Sequence, residues 1–249
     1  MFKINKSVYI FALIAVLTAS FINFIVISTL IIIHELGHFL VAKLLKVEVD
    51  KIYLYPLGGI SKFNLDLNSS PIIELLILIS GPIFQVIAAQ TLITILPSYT
   101  ELVKIYHYQI LFFNLLPVYP LDGGKLLNVI LSLKIPYKAS LNYTIIVSYT
   151  VLLIIILINT NNIKLNILFM SIFLFYKITK EKKKISTIYE KFLLERYLKK
   201  YKFKDTKIIN NSNNFYRNKK HLIKKDQKYY YETEFLEKKY NFFNKSVDF

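Results

Sequence analysis

The amino-acid sequence predicts an all-α polytopic membrane protein with about six transmembrane helices, a small membrane-associated β-hairpin and a short cytoplasmic C-terminal region. Three observations predict this class. Hydrophobic residues make up 54% of the 249-residue chain, and the mean hydropathy is +0.42. Residues 8–33 contain no charged side chain. Basic residues concentrate at the other end, because residues 180–249 hold 20 of the 32 lysines and arginines.

The predicted helices follow from apolar runs long enough to cross a bilayer, which takes about 20 residues. Residues 7–45 are long enough for two helices with a tight turn near residues 20–23. Further runs cover residues 72–96, 102–121, 139–158 and 163–177. Between the second and third helices, residues 47–69 alternate polar with β-branched or aromatic side chains around Gly58 and Gly59. This alternation predicts short strands or a hairpin.

The lysines in the connecting segments predict the orientation in the membrane. Six spans put both termini on one side, and the connections on the opposite side hold only Lys164, with Lys104 close by. The loops on the side of the termini hold Lys3, Lys6, Lys46, Lys51, Lys62, Lys125, Lys134 and Lys138. The positive-inside rule therefore places both termini in the cytoplasm. The second and fourth spans then both descend towards the cytoplasmic leaflet.

Composition restricts the chemistry and the partners. The chain has no cysteine, so a metal ion would have to be held by histidine and carboxylate. Lys3 and Lys6 before an apolar run resemble a signal peptide, but the run continues, so a retained first span is expected. Residues 180–249 follow directly on the last span, which favours contact with anionic lipid over nucleic acid.

His34-Glu35-Leu36-Gly37-His38 lies within an unbroken apolar stretch. His-Glu-x-x-His on a helix is a zinc-hydrolase signature, and ionisable residues within a membrane span point to a functional site. At 3.6 residues per turn, His34 and His38 lie about 40° apart on one helix face. Glu35 lies about 100° from His34, which places it beside a shared metal ion rather than on it. From there Glu35 can act as a general base.

A catalytic zinc takes three protein ligands and an open fourth position, so a third ligand must come from elsewhere. Asp122 is the best candidate, because Pro120 and Gly123-Gly124 flank it and favour a non-helical turn at a helix end. A purely turn-forming role for Asp122 remains the alternative. The other two histidines are expected outside the site, with His107 at the membrane interface and His221 at the surface of the tail.

Two motifs together resemble those of a known family. They are His34-Glu35-Leu36-Gly37-His38 and Asn114-Leu-Leu-Pro117-Val-Tyr-Pro120-Leu-Asp122-Gly123-Gly124. In order, spacing and membrane side they resemble the paired motifs of the site-2 proteases, which are intramembrane zinc metalloproteases. The resemblance is strongest to the sporulation branch of that family. The resemblance implies that His34, His38 and Asp122 bind Zn²⁺ and that Glu35 is the catalytic base. It also implies that Asn114 supports the substrate or the active-site geometry.

The resemblance extends to two further segments. Gly81-Pro82 resembles a Gly-Pro-x-x-Asn pattern of the family, but Gln85 stands in place of the asparagine, so no role is carried over to it. The segment around Gly58 and Gly59 resembles membrane-embedded strands that pair with an unfolded substrate segment. Such pairing satisfies the backbone hydrogen bonds of an extended peptide within the membrane.

The resemblance also implies a division of the chain and a biological setting. Residues 1–179 would form the intramembrane zinc metalloprotease domain, and residues 180–249 a basic cytoplasmic tail, alternatively a reduced CBS-like unit. The implied activity is regulated intramembrane proteolysis of a membrane-associated substrate, a sporulation sigma-factor precursor of the pro-sigma-K type. Inhibitory membrane proteins are the implied further partners, and a mother-cell or forespore membrane of a bacterial cell is the implied location.

Two other functions remain open at this point. A membrane metallopeptidase of the CAAX prenyl protease type would use a downstream glutamate as its third ligand, for which Glu190 and Glu195 are the candidates. A catalytically silent membrane scaffold would not need a buried base such as Glu35. Substituting Asp122 and measuring the bound zinc separates the two enzyme hypotheses.

Overall fold

The computed structural model describes residues 2–4, 6–55, 58–160, 165–199, 201–203, 205–225 and 227–244. The chain divides into two compact units. The first unit comprises Met1–Leu65 and Ile72–Leu116. The second unit comprises Asp66–Pro71 and Pro117–Phe249.

The first unit is built mainly from four helices and a small sheet. Its elements are β1 (Phe2–Ile4), α1 (Lys6–Leu17), α2 (Phe21–Leu44), β2 (Val49–Tyr55), β3 (Gly58–Phe63), α3 (Pro71–Ile95) and α4 (Thr100–Leu115). Its core contains Val26 and Leu30 of α2, Ala89 of α3 and Val103 of α4. These side chains come from three helices, so the core holds α2, α3 and α4 together.

The small sheet has the strand order β1-β2-β3. Strand β1 runs parallel to β2, and β2 runs antiparallel to β3 with Leu54 opposite Gly59 and Tyr55 opposite Gly58. The predicted hairpin is therefore confirmed, although residues 56–57, which join its strands, lie outside the described residues. Strand β1 was not predicted, because three residues are too few to show an alternating pattern.

The second unit combines long helices with a second sheet. Its elements are α5 (Asp122–Lys134), α6 (Tyr137–Ile158), α7 (Leu165–Leu198), β4 (Asp205–Ile209), β5 (Lys219–Lys225), β6 (Lys228–Tyr231) and α8 (Glu232–Asn244). Strands β4 and β5 are parallel, and β5 and β6 are antiparallel. A sheet within the polar C-terminal region was not predicted. Whether residues 180–249 form a functionally separate CBS-like unit stays a prediction.

The predicted boundary of the fourth helix is wrong. Helix α4 ends at Leu115 rather than near residue 121, and Leu116 is already extended, with φ −55° and ψ 133°. Pro117 accounts for this end, because proline excludes the preceding residue from helical backbone angles. Asp122 consequently begins a new helix, α5, instead of closing the previous one.

Three helices are long and apolar enough to cross a membrane within the described part of the chain. They are α2, α3 and α6. Helices α1 and α4, of 12 and 16 residues, are shorter than the roughly 20 residues that a full span needs. Transmembrane helices are therefore supported, whereas the number of six spans and the cytoplasmic termini stay predictions.

A buried polar cluster stabilises the C-terminal part of the second unit. The Arg196 guanidinium on α7 donates to Glu232 at the start of α8, at 2.9 Å, and to Asn68. It also donates to the backbone carbonyls of Tyr216, Arg217 and Lys219. A buried charge is tolerated only when it is paired and hydrogen-bonded in this way.

His221 belongs to the same cluster, so its predicted surface position is wrong. It is fully buried, its Nδ1–H donates to Glu232 at 3.0 Å, and its Nε2 accepts from the Tyr216 N–H at 2.9 Å. Because Nε2 already accepts a hydrogen bond, the ring is held neutral. Burial lowers the pKa of His221 below its usual 6.5. The pKa of Glu232 is also lowered: burial opposes this, but the His221 hydrogen bond and the Arg196 charge outweigh it.

Candidate metal and catalytic site

Helix α2 brings the two motif histidines together, as their spacing predicts. His34 and His38 are both buried, and their Nε2 atoms lie 3.1 Å apart. The ring centroids are 4.8 Å apart and the ring planes are nearly perpendicular, at 82°. The imidazoles therefore converge on one point through their Nε2 atoms.

The opposite nitrogens determine the tautomers. His38 Nδ1 lies 2.7 Å from the backbone carbonyl oxygen of Ile77, and His34 Nδ1 lies 3.0 Å from Oε1 of Gln85. Both partners are acceptors, so each Nδ1 carries a proton and donates it. With Nδ1 as the donor, each Nε2 can present a lone pair to a shared metal ion.

This donor set fits a zinc ion. The two Nε2 atoms lie 3.1 Å apart. Zn–N bonds of about 2.0–2.1 Å at a tetrahedral angle would place two nitrogens about 3.3 Å apart. The observed separation is close to that value. Zinc-bound histidines usually donate their other ring N–H to a carbonyl or carboxylate oxygen, as both rings do here.

Two glycines make room for this arrangement where α2 and α3 approach. A methyl group at Gly81 would lie 2.3 Å from Nε2 of His38 and 2.9 Å from Nε2 of His34. A methyl group at Gly37 would lie 2.8 Å from the Ser80 carbonyl oxygen and from Cβ of Phe84. Small residues allow such close helix approach in membranes. Gly81 thus leaves the space that the two imidazoles occupy.

Glu35 lies on α2 directly after His34 and is buried. By helical geometry it lies about 100° around α2 from His34. The sequence and the helix agree on this point, because α2 is continuous through the motif, from Phe21 to Leu44.

Asp122 belongs to the second unit, where it is buried as the first residue of α5. The turn before it contains a cis Tyr119–Pro120 peptide, and the Tyr119 N–H donates to Oγ of Ser148 on α6 at 2.8 Å. Gly124 is required by the same turn, because a methyl group there would lie 2.4 Å from the Tyr119 backbone nitrogen. The positive end of the α5 helix dipole attracts the Asp122 carboxylate. The carboxylate also pairs with Lys125 at 3.1 Å.

The remaining predicted site residues are Asn114, Gly58 and Gly59. Asn114 is half-buried in the last turn of α4. Gly58 and Gly59 begin β3 and pair with β2. Their roles in substrate binding stay predictions.

The two glutamates considered for the alternative metallopeptidase are engaged elsewhere. Glu190 accepts hydrogen bonds from Lys239 and Tyr240, and it is exposed. Glu195 accepts from the Leu67 N–H at 2.7 Å and from Asn68 at 3.4 Å. Both therefore serve contacts within the second unit.

Gln85 had no predicted role, but its side chain contacts His34 in the structure. His107, for which an interfacial side chain was predicted, is buried on α4, and its carbonyl oxygen accepts from Nε2 of Gln85 at 3.1 Å. The available signals for Gln85 were its place in the Gly-Pro-x-x-Asn-like pattern and its polar side chain in the apolar run of α3, four residues after Gly81. Its partners lie on other helices, and their proximity is invisible in the sequence.

Comparisons with known proteins identify a matching peptidase family and two relatives of this chain. A match to peptidase family M50 covers residues 22–106, which include the His-Glu motif and Gln85. Stage IV sporulation protein FB of Bacillus subtilis (strain 168) is 31% identical over 208 residues, which cover 78% of this chain and 70% of that protein. A zinc metalloprotease of Methanocaldococcus jannaschii is 28% identical over 180 residues, covering 67% of this chain and 52% of that protein.

One solved structure supports the fold. The site-2 protease from Methanocaldococcus jannaschii superposes with a TM-score of 0.57 at 24% sequence identity. The match covers 72% of this chain and 89% of that one.

Proposed function

Because the chain belongs to peptidase family M50, the family of the site-2 proteases, we propose that it is an intramembrane zinc metalloendopeptidase. The observation that carries this proposal is the His34–His38 pair. Its Nε2 lone pairs converge at 3.1 Å next to a buried carboxylate, Glu35, within a helix apolar enough to cross a membrane. Ionisable side chains within a membrane span are costly, so they mark a functional site rather than a structural one.

His34, His38 and Asp122 are the proposed zinc ligands. Asp122 is supported as the third by its burial at the start of α5 and by the family resemblance of the motif that contains it. Two imidazoles and one carboxylate are a ligand set known from catalytic zinc sites, which leave a fourth position open. When bound, zinc supplies Lewis-acid polarisation of the scissile carbonyl and lowers the pKa of water to about 7.

Glu35 is the proposed general base and acid. Its carboxylate takes a proton from the attacking water as the oxygen adds to the carbonyl carbon of the scissile peptide. The same proton then passes to the leaving nitrogen as the C–N bond breaks, so the products are a free carboxylate and a free amine. One carboxylate can perform both transfers because it is regenerated in each cycle.

The sheet of the first unit is the proposed binding surface for the substrate backbone. Among the described strands, β2 has β1 on one side and β3 on the other, which leaves β3 with a free outer edge. An extended substrate segment added to that edge would satisfy its backbone hydrogen bonds. Gly58 and Gly59 at the start of β3 would permit close approach, and Asn114 is proposed to support the geometry of the site.

A membrane-associated protein is the proposed substrate, and a sporulation sigma-factor precursor of the pro-sigma-K type is the specific candidate. The similarity to the sporulation protein of B. subtilis supports this choice. The same resemblance supports six spans with cytoplasmic termini, a mother-cell or forespore membrane, and inhibitory membrane partners. Exposed Lys180, Lys182, Lys183 and Lys184 on α7 support contact of this helix with anionic lipid.

The test is co-expression in membranes with a pro-sigma-K-like substrate, comparing wild type with Glu35→Gln and Asp122→Ala. Loss of the base in Glu35→Gln should lower the cleavage rate by at least about 10²-fold while zinc stays bound. Asp122→Ala should lose zinc together with activity. Equal cleavage by wild type and Glu35→Gln would assign the activity to another enzyme and favour the silent scaffold.

The same variants separate the CAAX prenyl protease alternative. Zinc content unchanged by Asp122→Ala would support a different third ligand and contradict the site-2 mechanism. Glu190 and Glu195 are poor candidates for such a ligand, because Lys239, Tyr240 and the Leu67–Asn68 segment already bind them.

A further inference from the structure

Gln85 is a fully buried polar side chain in a candidate membrane span, with 0% of its surface exposed. Burying an amide in apolar surroundings is costly unless its donors and its acceptor are used. Gln85 meets this condition with partners on two other helices, His34 of α2 and His107 of α4. It therefore connects three helices at the level of the histidine pair.

The amide orientation follows from its partners. Nε2 of Gln85 lies 3.1 Å from the His107 backbone carbonyl oxygen, which can only accept a hydrogen bond. The amide nitrogen must therefore face α4, and Oε1 must face His34, whose Nδ1 lies 3.0 Å away. With Oε1 as acceptor, His34 carries its proton on Nδ1 and presents the lone pair of Nε2.

The two histidines differ in how their rings are held. The acceptor for His38 is the backbone carbonyl of Ile77, which belongs to the α3 main chain and survives any side-chain substitution. The acceptor for His34 is a side chain, Gln85. The orientation and tautomer of His34 thus depend on one replaceable group.

We propose that Gln85 is a positioning residue that orients His34 for metal binding. This inference rests on the proposed zinc function, and it gives a role to a residue to which the sequence resemblance assigned none. The Gln85 carbonyl oxygen keeps the His34 ring in one rotation and one tautomer. The His107 carbonyl in turn keeps the Gln85 amide from rotating.

The test compares zinc affinity of full-length proteins purified in detergent, measured by competition with a zinc chelator. Gln85→Met keeps the length and flexibility of the side chain but removes the acceptor. It should raise the zinc dissociation constant about 10- to 100-fold, the usual effect of losing an outer hydrogen bond to a metal-binding histidine. Gln90→Met is the matched control, since Gln90 is exposed on the same helix, and its affinity should equal that of wild type.

Gln85→Glu separates positioning from simple packing. As a neutral carboxylic acid, its carbonyl oxygen can accept from His34 while its hydroxyl donates to the His107 carbonyl. Zinc affinity should therefore remain close to wild type. Cobalt-substituted proteins give a second readout, because the visible absorption bands of bound Co²⁺ should change in Gln85→Met and persist in Gln85→Glu.

Wild-type affinity and an unchanged cobalt spectrum in Gln85→Met would overturn the inference. Equal losses in Gln85→Met and Gln85→Glu would also overturn it, because packing alone would then explain the effect. Failure of the proposed function is distinguishable. Wild-type protein that binds zinc but cleaves no substrate contradicts the protease proposal and leaves the zinc comparison valid.

Discussion

Replacing Gly81 with alanine should displace the two histidines that are proposed to bind zinc. The new methyl group would lie 2.3 Å from Nε2 of His38 and 2.4 Å from its Cε1. It would also lie 2.9 Å from Nε2 of His34. The crowded atoms are the nitrogens proposed to bind zinc, and they are the far ends of side chains. We therefore expect the imidazoles to move while helix α3 stays in place.

The size of the effect follows from these distances. Ordinary contact begins at 3.4 Å, so the His38 ring must retreat by about 1.1 Å. Zinc sites tolerate deviations of only about 0.2 Å in ligand distance. A misplacement of about 1 Å in a catalytic group commonly costs about 10²-fold in rate. Cleavage by Gly81→Ala should therefore fall about 10²-fold or more, with weakened zinc binding as the cause.

The free energy of unfolding should rise slightly or stay unchanged in Gly81→Ala. Alanine is favoured over glycine within a helix by about 1 kcal/mol, and Gly81 lies inside α3. The assays are zinc content and affinity of the purified protein, cleavage of the co-expressed substrate, and the thermal unfolding midpoint. A folded Gly81→Ala with lost zinc and unchanged midpoint is the expected result.

Gly37→Ala is the matched control. It adds the same methyl group to the same pair of helices, but the group meets Ser80 and Phe84 instead of the imidazoles. Helix packing and stability should suffer there, whereas the zinc stoichiometry should persist. Full zinc binding and full activity in Gly81→Ala would refute the reasoning. Equal zinc loss in both variants would show that helix displacement, rather than the ligand clash, is responsible.

Two further predictions concern the buried cluster of the second unit. Arg196→Met leaves Glu232 buried without its charge partner and should cost about 3–5 kcal/mol of unfolding free energy, measured by thermal or denaturant unfolding. Lys199→Met, which removes the exposed pair with Asp66, should leave the free energy of unfolding close to that of wild type. Equal losses in the two variants would contradict this difference. Stability should also fall as pH drops from 7 to 5, since the unfolded state binds a proton near pH 6.5 that folded His221, with its lowered pKa, does not. Replacing His221 with glutamine should flatten this dependence, and a wild-type unfolding midpoint that is constant over that range would contradict it.

Properties that repeat along the chain were predictable from the sequence. The apolar runs predicted helices α2, α3 and α6, because spanning a bilayer depends on the length and hydrophobicity of one continuous segment. The spacing of His34 and His38 predicted their convergence, because helical periodicity alone puts them on one face. The alternation around Gly58 and Gly59 predicted the hairpin.

Local steric rules explain where the helix prediction failed. Pro117 ends α4 six residues before the boundary expected from hydrophobicity, and Asp122 starts a separate helix. A hydropathy profile does not reveal the end of α4, because the turn residues between α4 and α5 are themselves largely apolar.

Contacts between distant segments could be recognised only in the tertiary structure. The role of Gln85 cannot be recognised until His34, 51 positions away, and His107, 22 positions away, are found beside it. His221 looks like a surface residue of a basic tail until Arg196 and Glu232 enclose it. The hydrogen bonds and the desolvation that give these side chains their roles act over a few ångströms in space, and separation along the chain does not predict that distance.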